Sequence, residues 1–150
     1  PAGVGKSWLL GEVTRLLAQG SDRVFVVSGS DATAPIPLGL FLRFLQPHFA
    51  TFDPTSDTAL FAAASHLRHR LVADLDAVII DQTEMVDPAS LGVLFEVARA
   101  GVAILLAVRD DPPDGSTLRA FLRSGLVTQV RLSPLDDDVI EAICRFVDDL

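Results

Sequence analysis

The chain has 150 residues, 49% of them hydrophobic and 21% charged, which describes one compact soluble domain and excludes a disordered tail or a two-domain assembly. A formal net charge of −8 and a sequence pI near 4.6 exclude a nucleic-acid surface held by overall charge, so a bound anion must be held by local geometry. A single cysteine, Cys144, excludes an internal disulfide framework and a cysteine-based zinc site, in keeping with a reducing cytoplasm.

The chain opens at Pro1 in a loop, with no signal-like start, and is expected to be a fragment of something longer. Lys6 to Gln19 then places Leu9, Leu10, Val13, Leu16 and Leu17 along one side of a helix that Gly20 ends. Arg23 to Ser28 reads as a short buried strand. Leu38 to Gln46 and Asp57 to Leu75 are expected helices, with Pro35, Pro37 and Pro54 on their approaches and Asp57 as a cap. Ala77-Val78-Ile79-Ile80, ending at Asp81, reads as a strand buried on both faces.

Pro88 to Ala100 is a further helix, opened by Asp87 as cap and closed by Gly101, and Val102 to Val108 is a fully apolar strand. The apolar stretch from Ala100 to Val108 lies between Arg99 and Arg109 and is far short of the ~20 residues that span a bilayer, so no membrane anchor is expected. Leu118 to Arg123 predicts a short helix, Val127 to Leu132 a last strand, and Asp136 to Val147 a final helix with three aspartates at its positive end. Strands alternating with helices, and apolar on both faces, predict a mainly parallel sheet covered by helices on both sides.

Gly3-Val4-Gly5-Lys6-Ser7, opening a helix, has the chemistry that a nucleoside triphosphate needs. Glycines let backbone N–H groups turn inward around phosphates, the helix N-terminus adds partial positive charge, Lys6 reaches the terminal phosphates, and the Ser7 hydroxyl can ligate magnesium. The full pattern asks for a glycine separated from Gly5 by four residues, which falls immediately before Pro1; a glycine preceded by a short apolar strand is expected there. The plainer reading of Gly5-Lys6-Ser7 is a helix cap with a solvated lysine. Trp8, next in line, reads as helix packing rather than base stacking.

Val78-Ile79-Ile80-Asp81 delivers a carboxylate to the carboxyl end of a strand, where ligands of open α/β sheets collect. Asp81 can hold magnesium there opposite Ser7, directly or through water, or serve as a strand-end turn residue. Hydrolytic nucleotide-binding proteins usually place a second acid next, to activate water. This chain has Gln82, which can position water but cannot accept its proton. Glu84 and Asp87 stand close enough to substitute, or to act as turn and cap residues. Arg109, after an apolar strand, should emerge at the same edge and contact a terminal phosphate, unless it pairs with Asp110 or Asp111. His66 and His69 are three apart between arginines and read as a solvated face rather than a metal site.

These residues together resemble a known family: the signal-transduction ATPases with numerous domains, a branch of the AAA+ class, and in particular the ATPase domain of large LuxR-type regulators similar to MalT. The resemblance covers essentially the whole chain. It is carried by the phosphate loop, Ser28-Gly29-Ser30-Asp31, Ile36-Pro37-Leu38-Gly39, Ile104 to Arg109, and Leu132-Ser133-Pro134-Leu135. Such regulators often read Asp-Asp-x-x-Trp-x-Asp where this chain has Asp81-Gln82-Thr83-Glu84-Met85-Val86-Asp87, so Gln82 replaces the second acid and Met85 the tryptophan.

The resemblance implies a three-layer α/β phosphate-loop ATPase domain over residues 1–150, with a central first strand missing before the loop and the start of a helical lid from about residue 135. It implies ATP and Mg2+ as cofactors, held by Gly3, Val4, Gly5, Lys6, Ser7 and Trp8, with Ser7 and Asp81 at the metal and Lys6, Gln82 and Arg109 at the terminal phosphate. The function expected is a slowly hydrolysing, ATP-binding switch of a cytoplasmic transcriptional regulator. Other domains of the same polypeptide and self-association are the expected partners, with no direct nucleic-acid contact by this segment and no membrane. The alternatives are the ATPase module of a cyclase or kinase fusion, a module that has lost catalysis, and a metabolite kinase, against which the acidic loop Pro112 to Gly115 speaks.

Overall fold

A computed structural model describes residues 5–45, 56–109 and 111–133. In chain order these form α1 (Lys6–Ala18), β1 (Val24–Ser28), α2 (Leu42–Leu45), α3 (Asp57–Asp74), β2 (Ala77–Asp81), α4 (Pro88–Arg99), β3 (Ala103–Leu106) and α5 (Thr117–Leu122). Short 3-10 turns at Gly39–Phe41 and Thr83–Met85 precede α2 and follow β2. The chain is α/β, as expected.

The three strands form one parallel sheet in the order β1-β2-β3, with Val24 opposite Ala77 and Ala77 opposite Ala103. The central strand, β2, is buried from Ala77 to Ile80, and only Asp81 at its carboxyl end is partly open. Alternation splits its side chains between two apolar clusters. Val78 and Ile80 join Phe25 and the buried leucines of α3 and α4, whereas Ile79 meets Leu10 of α1 and Ala107 on the other face. Helices therefore lie on both faces.

Local chemistry accounts for the boundaries of the two helices that cover the larger cluster. In α4 the Asp87 carboxylate accepts the Ser90 N–H at 2.9 Å, Pro88 occupies the first turn where its missing N–H costs nothing, and Gly101 at φ 97° follows the end. In α3 the cap is Ser56, whose hydroxyl accepts the Ala59 N–H, and the expected cap Asp57 is the first helical residue instead. Leu67 and Leu71 of α3 are fully buried among Leu91, Leu94 and Val97 of the same cluster.

The segment expected as a helix over Leu38 to Gln46 is split, because Leu38 sits at φ 61°, which interrupts a right-handed helix before it starts. Gly39 beside it is required by space: a methyl there would overlap the Thr33 carbonyl oxygen. Gln46, and the expected helix Asp136 to Val147 with the lid from about residue 135, lie outside the described residues.

Two expectations are corrected at the sheet's edges, and α1, a helix as expected, buries little of its apolar side. Arg23 to Ser28 is not a buried strand, since β1 is an edge among the described strands, only Phe25 of it is buried, and Val26 is 48% exposed. On α1 only Leu10 is buried, with Leu9, Leu16 and Leu17 exposed. Val127 to Leu132 does not form a strand. It stands across a groove from the outer side of β3 and pairs with no described strand, and its largely exposed backbone can hydrogen-bond water instead. Between that segment, α1 and the outer side of β3 runs an apolar groove of about 1190 Å³, lined by Leu9, Leu10, Val13, Leu105 and Val130.

Candidate functional site

The carboxyl ends of β2 and β3 and the first turn of α1 meet at one place. Gly5, at φ 85°, makes the left-handed entry into α1, and its carbonyl accepts the first helical bond from Leu9 N–H at 2.9 Å. Ser7 thus stands in the first turn, at the positive end of the helix. Its hydroxyl donates to Asp81 Oδ2 at 2.7 Å, joining residues 74 positions apart in sequence.

The other carboxylate oxygen is also engaged. Asp81 Oδ1 accepts the backbone N–H of Gln82 at 2.8 Å. Gln82 adopts φ 51°, ψ 48° and leads into the 3-10 turn, which Thr83, fully buried, ties to β3 by donating its N–H to the Ala107 carbonyl at 3.2 Å. Ala107 N–H in turn donates to the Ile80 carbonyl at 2.8 Å. Arg109, two residues on, therefore emerges beside this turn, and its Nε lies 3.2 Å from Glu84 Oε1. Asp111 is not its partner, and Asp110 lies outside the described residues.

The structure thus brings Ser7, Asp81 and Gln82 into direct contact and sets Arg109 one ion pair away. Lys6 is half-buried and lines the same groove as Arg109. Gly3 and Val4 lie outside the described residues. Trp8 departs from expectation: it is 74% exposed and packs no described core, because the helix turns it away from Leu10. Asp87 is excluded as a substitute water-activating acid, since its buried Oδ1 accepts from both Leu38 N–H and Ser90 N–H. Glu84 faces Arg109 in a partly exposed ion pair. His66 and His69 are exposed, the His69 ring nitrogen Nδ1 lies 2.8 Å from the Ser65 carbonyl oxygen, and no cluster of three metal-ligating side chains occurs among the described residues.

A hydroxyl and a carboxylate suit a hard cation. Adjacent ligands of an octahedral Mg2+ at ~2.1 Å stand about 3.0 Å apart, so the Ser7 and Asp81 oxygens, at 2.7 Å, need open only slightly to share one ion. Two protein oxygens leave the remaining positions to water and phosphate, the usual situation for magnesium with a nucleotide. The residues present fit that group.

Two features of the site carried no local signal. The pairing of Glu84 with Arg109 joins a turn to the end of another strand. The close approach of Gly29 to the Gln82 turn is a contact between neighbouring strands, and in the sequence it shows only as a glycine following a strand. No known protein family, curated protein or solved structure matches the chain. Among the described residues no helix is long and apolar enough to cross a membrane.

Proposed function

We propose that this chain is an ATP-binding switch domain of the phosphate-loop class, acting in the cytoplasm within a signal-transducing transcriptional regulator. The observation that carries the reading is the Ser7–Asp81 contact, which joins a Gly-Lys-Ser helix start to a strand-end carboxylate. On this reading Ser7 and Asp81 hold Mg2+, Lys6 neutralises the terminal phosphates, and Trp8 flanks the nucleotide. The ion supplies charge neutralisation on the phosphate oxygens when bound.

Arg109 is the group that distinguishes triphosphate from diphosphate. Its Nε lies 3.2 Å from Glu84 Oε1, so a phosphate that drew the guanidinium to itself would link nucleotide state to the turn after β2 and, through it, to neighbouring domains. Gln82 orients water without taking its proton, which favours a long-lived ATP state over rapid turnover. The groove beside β3 is consistent with this class, whose strand before the phosphate loop would run there.

A nucleotide-binding module that has lost catalysis is the second reading, and Gln82 is the residue that favours it. Titration of labelled ATP against wild type and Lys6→Ala tests the proposal. Lys6→Ala is expected to weaken binding by more than tenfold, since few other cations stand at the site. Equal affinity for the two proteins would mean that Gly5-Lys6-Ser7 is only a helix start.

A further inference from the structure

Gly29 follows β1, and its N–H donates to the Asp81 carbonyl oxygen at 2.9 Å, which extends the β1–β2 ladder one step beyond the Ser28–Asp81 pair. Its φ is not positive, so backbone conformation does not require glycine there. Space does. A methyl group at this position would overlap the Gln82 carbonyl oxygen and would stand 3.1 Å from both the carbonyl carbon and Cβ of Met85. The oxygen and the carbonyl carbon belong to the main chain and cannot swing aside as a flexible side chain would.

The turn that crowds Gly29 is itself unusual. Gln82 occupies the left-handed region, which residues with side chains rarely adopt and which persists only where surrounding structure imposes it. On one side the imposition comes from β3, through the Thr83 N–H bond to the Ala107 carbonyl. On the other it comes from the bare backbone of Gly29. The conformation aims the Gln82 N–H at Asp81 Oδ1, at 2.8 Å, while the Gln82 carbonyl accepts Met85 N–H at 2.9 Å. With Oδ1 occupied, Oδ2 is the oxygen turned to Ser7.

We propose that Gly29 is a positioning residue for the metal-binding carboxylate: by letting the Gln82 turn close against β1, it fixes the rotation of the Asp81 carboxyl group so that Oδ2 faces Ser7. This rests on the reading of Ser7 and Asp81 as Mg2+ ligands. A side chain at Gly29 displaces the turn, removes the N–H from Oδ1 and lets the carboxylate rotate, so the loss falls on metal binding rather than on the phosphate loop.

The test is the ratio of ATP affinities in saturating Mg2+ and in EDTA, measured with a fluorescent ATP analogue. Gly29→Ala is expected to lower that ratio at least tenfold while leaving the EDTA affinity within twofold of wild type. An unchanged ratio overturns the proposal. Asp81→Asn separates the two levels of inference. If Asp81→Asn keeps the wild-type ratio, the Mg2+ reading itself fails. If Asp81→Asn loses the ratio and Gly29→Ala keeps it, only the positioning role fails. A second readout needs no variant and so survives misfolding of Gly29→Ala. In wild type with Mg2+ and ATP, the Gln82 amide is expected to exchange its hydrogen at least tenfold more slowly than an unprotected amide, and free exchange of that amide overturns the proposal.

Discussion

Leu38 donates its backbone N–H to Asp87 Oδ1 at 2.9 Å, and the same oxygen accepts Ser90 N–H at 2.9 Å. One buried carboxylate oxygen therefore caps α4 and holds the left-handed turn at Leu38, 49 residues earlier, against the helix that follows the candidate site.

Removing that carboxylate loses a helix cap and orphans a buried donor. Asp87→Ala is expected to cost about 2–4 kcal/mol of folding stability, the sum of a lost N-cap and an unsatisfied N–H. Asp87→Asn keeps an acceptor and should cost only about 1 kcal/mol. Urea unfolding followed by circular dichroism checks both, and equal midpoints for the two variants would contradict the shared-acceptor account.

Gln82→Glu places a proton acceptor after Asp81. Single-turnover ATP hydrolysis should then rise at least about tenfold, equivalent to roughly 1.4 kcal/mol of barrier, with ATP affinity changed by no more than a few-fold. Glu84→Gln alone should not lower the wild-type rate, because water positioning is assigned to Gln82, whose backbone N–H donates to Asp81 Oδ1, and not to Glu84 two residues further on. A rate that responds only to the Glu84 change would move the catalytic position to that residue.

Glu84→Gln has a further expected effect, on ligand preference. Releasing Arg109 from an exposed ion pair, worth about 0–1 kcal/mol, should raise ATP affinity up to about fivefold and leave ADP affinity unchanged. Calorimetric titration with each nucleotide measures the ratio. A parallel rise for both would show that Arg109 does not read the terminal phosphate.

Among the described residues, the groove beside β3 leaves strand edge and apolar side chains open together, a combination that promotes edge-to-edge association. The 150-residue chain by itself is expected to self-associate at micromolar concentration, and Leu105→Lys, which puts a charge on that edge strand, to reduce the association. Light scattering across a dilution series follows this. A monodisperse wild-type chain would refute it.

How far the fold was legible follows from where each element's information lies. Ala77 to Ile80 and the run from Asp87-Pro88 to Gly101 state their structures locally, through an unbroken apolar stretch and through cap chemistry, and β2 and α4 begin and end nearly where those signals stand. Ser7 and Asp81 were legible separately, one from its glycines and one from its strand. Their contact needed only the general rule that such ends gather at one sheet edge. Val127 to Leu132 has the composition of a strand, yet pairing is a property of the neighbour as much as of the segment. The burial of Leu10 beside exposed Leu9, Leu16 and Leu17 is likewise decided by how little of the sheet α1 covers. Gly29 and the Glu84–Arg109 pair depend on the distance between strands, which no spacing in the sequence encodes.

The sparse docking of α1 has a consequence for how the candidate site would respond to a ligand. A helix of 13 residues is marginal in isolation, and this one buries a single leucine. Its backbone amides should therefore be among the first in the described fold to exchange with solvent, well before those of α4, which buries five residues. Because the same helix carries Ser7, a ligand that grips its first turn would stabilise one of the least secured helices among the described residues. Binding would then be read out as a gain of order along α1, as slowed amide exchange extending from Ser7 toward Ala18.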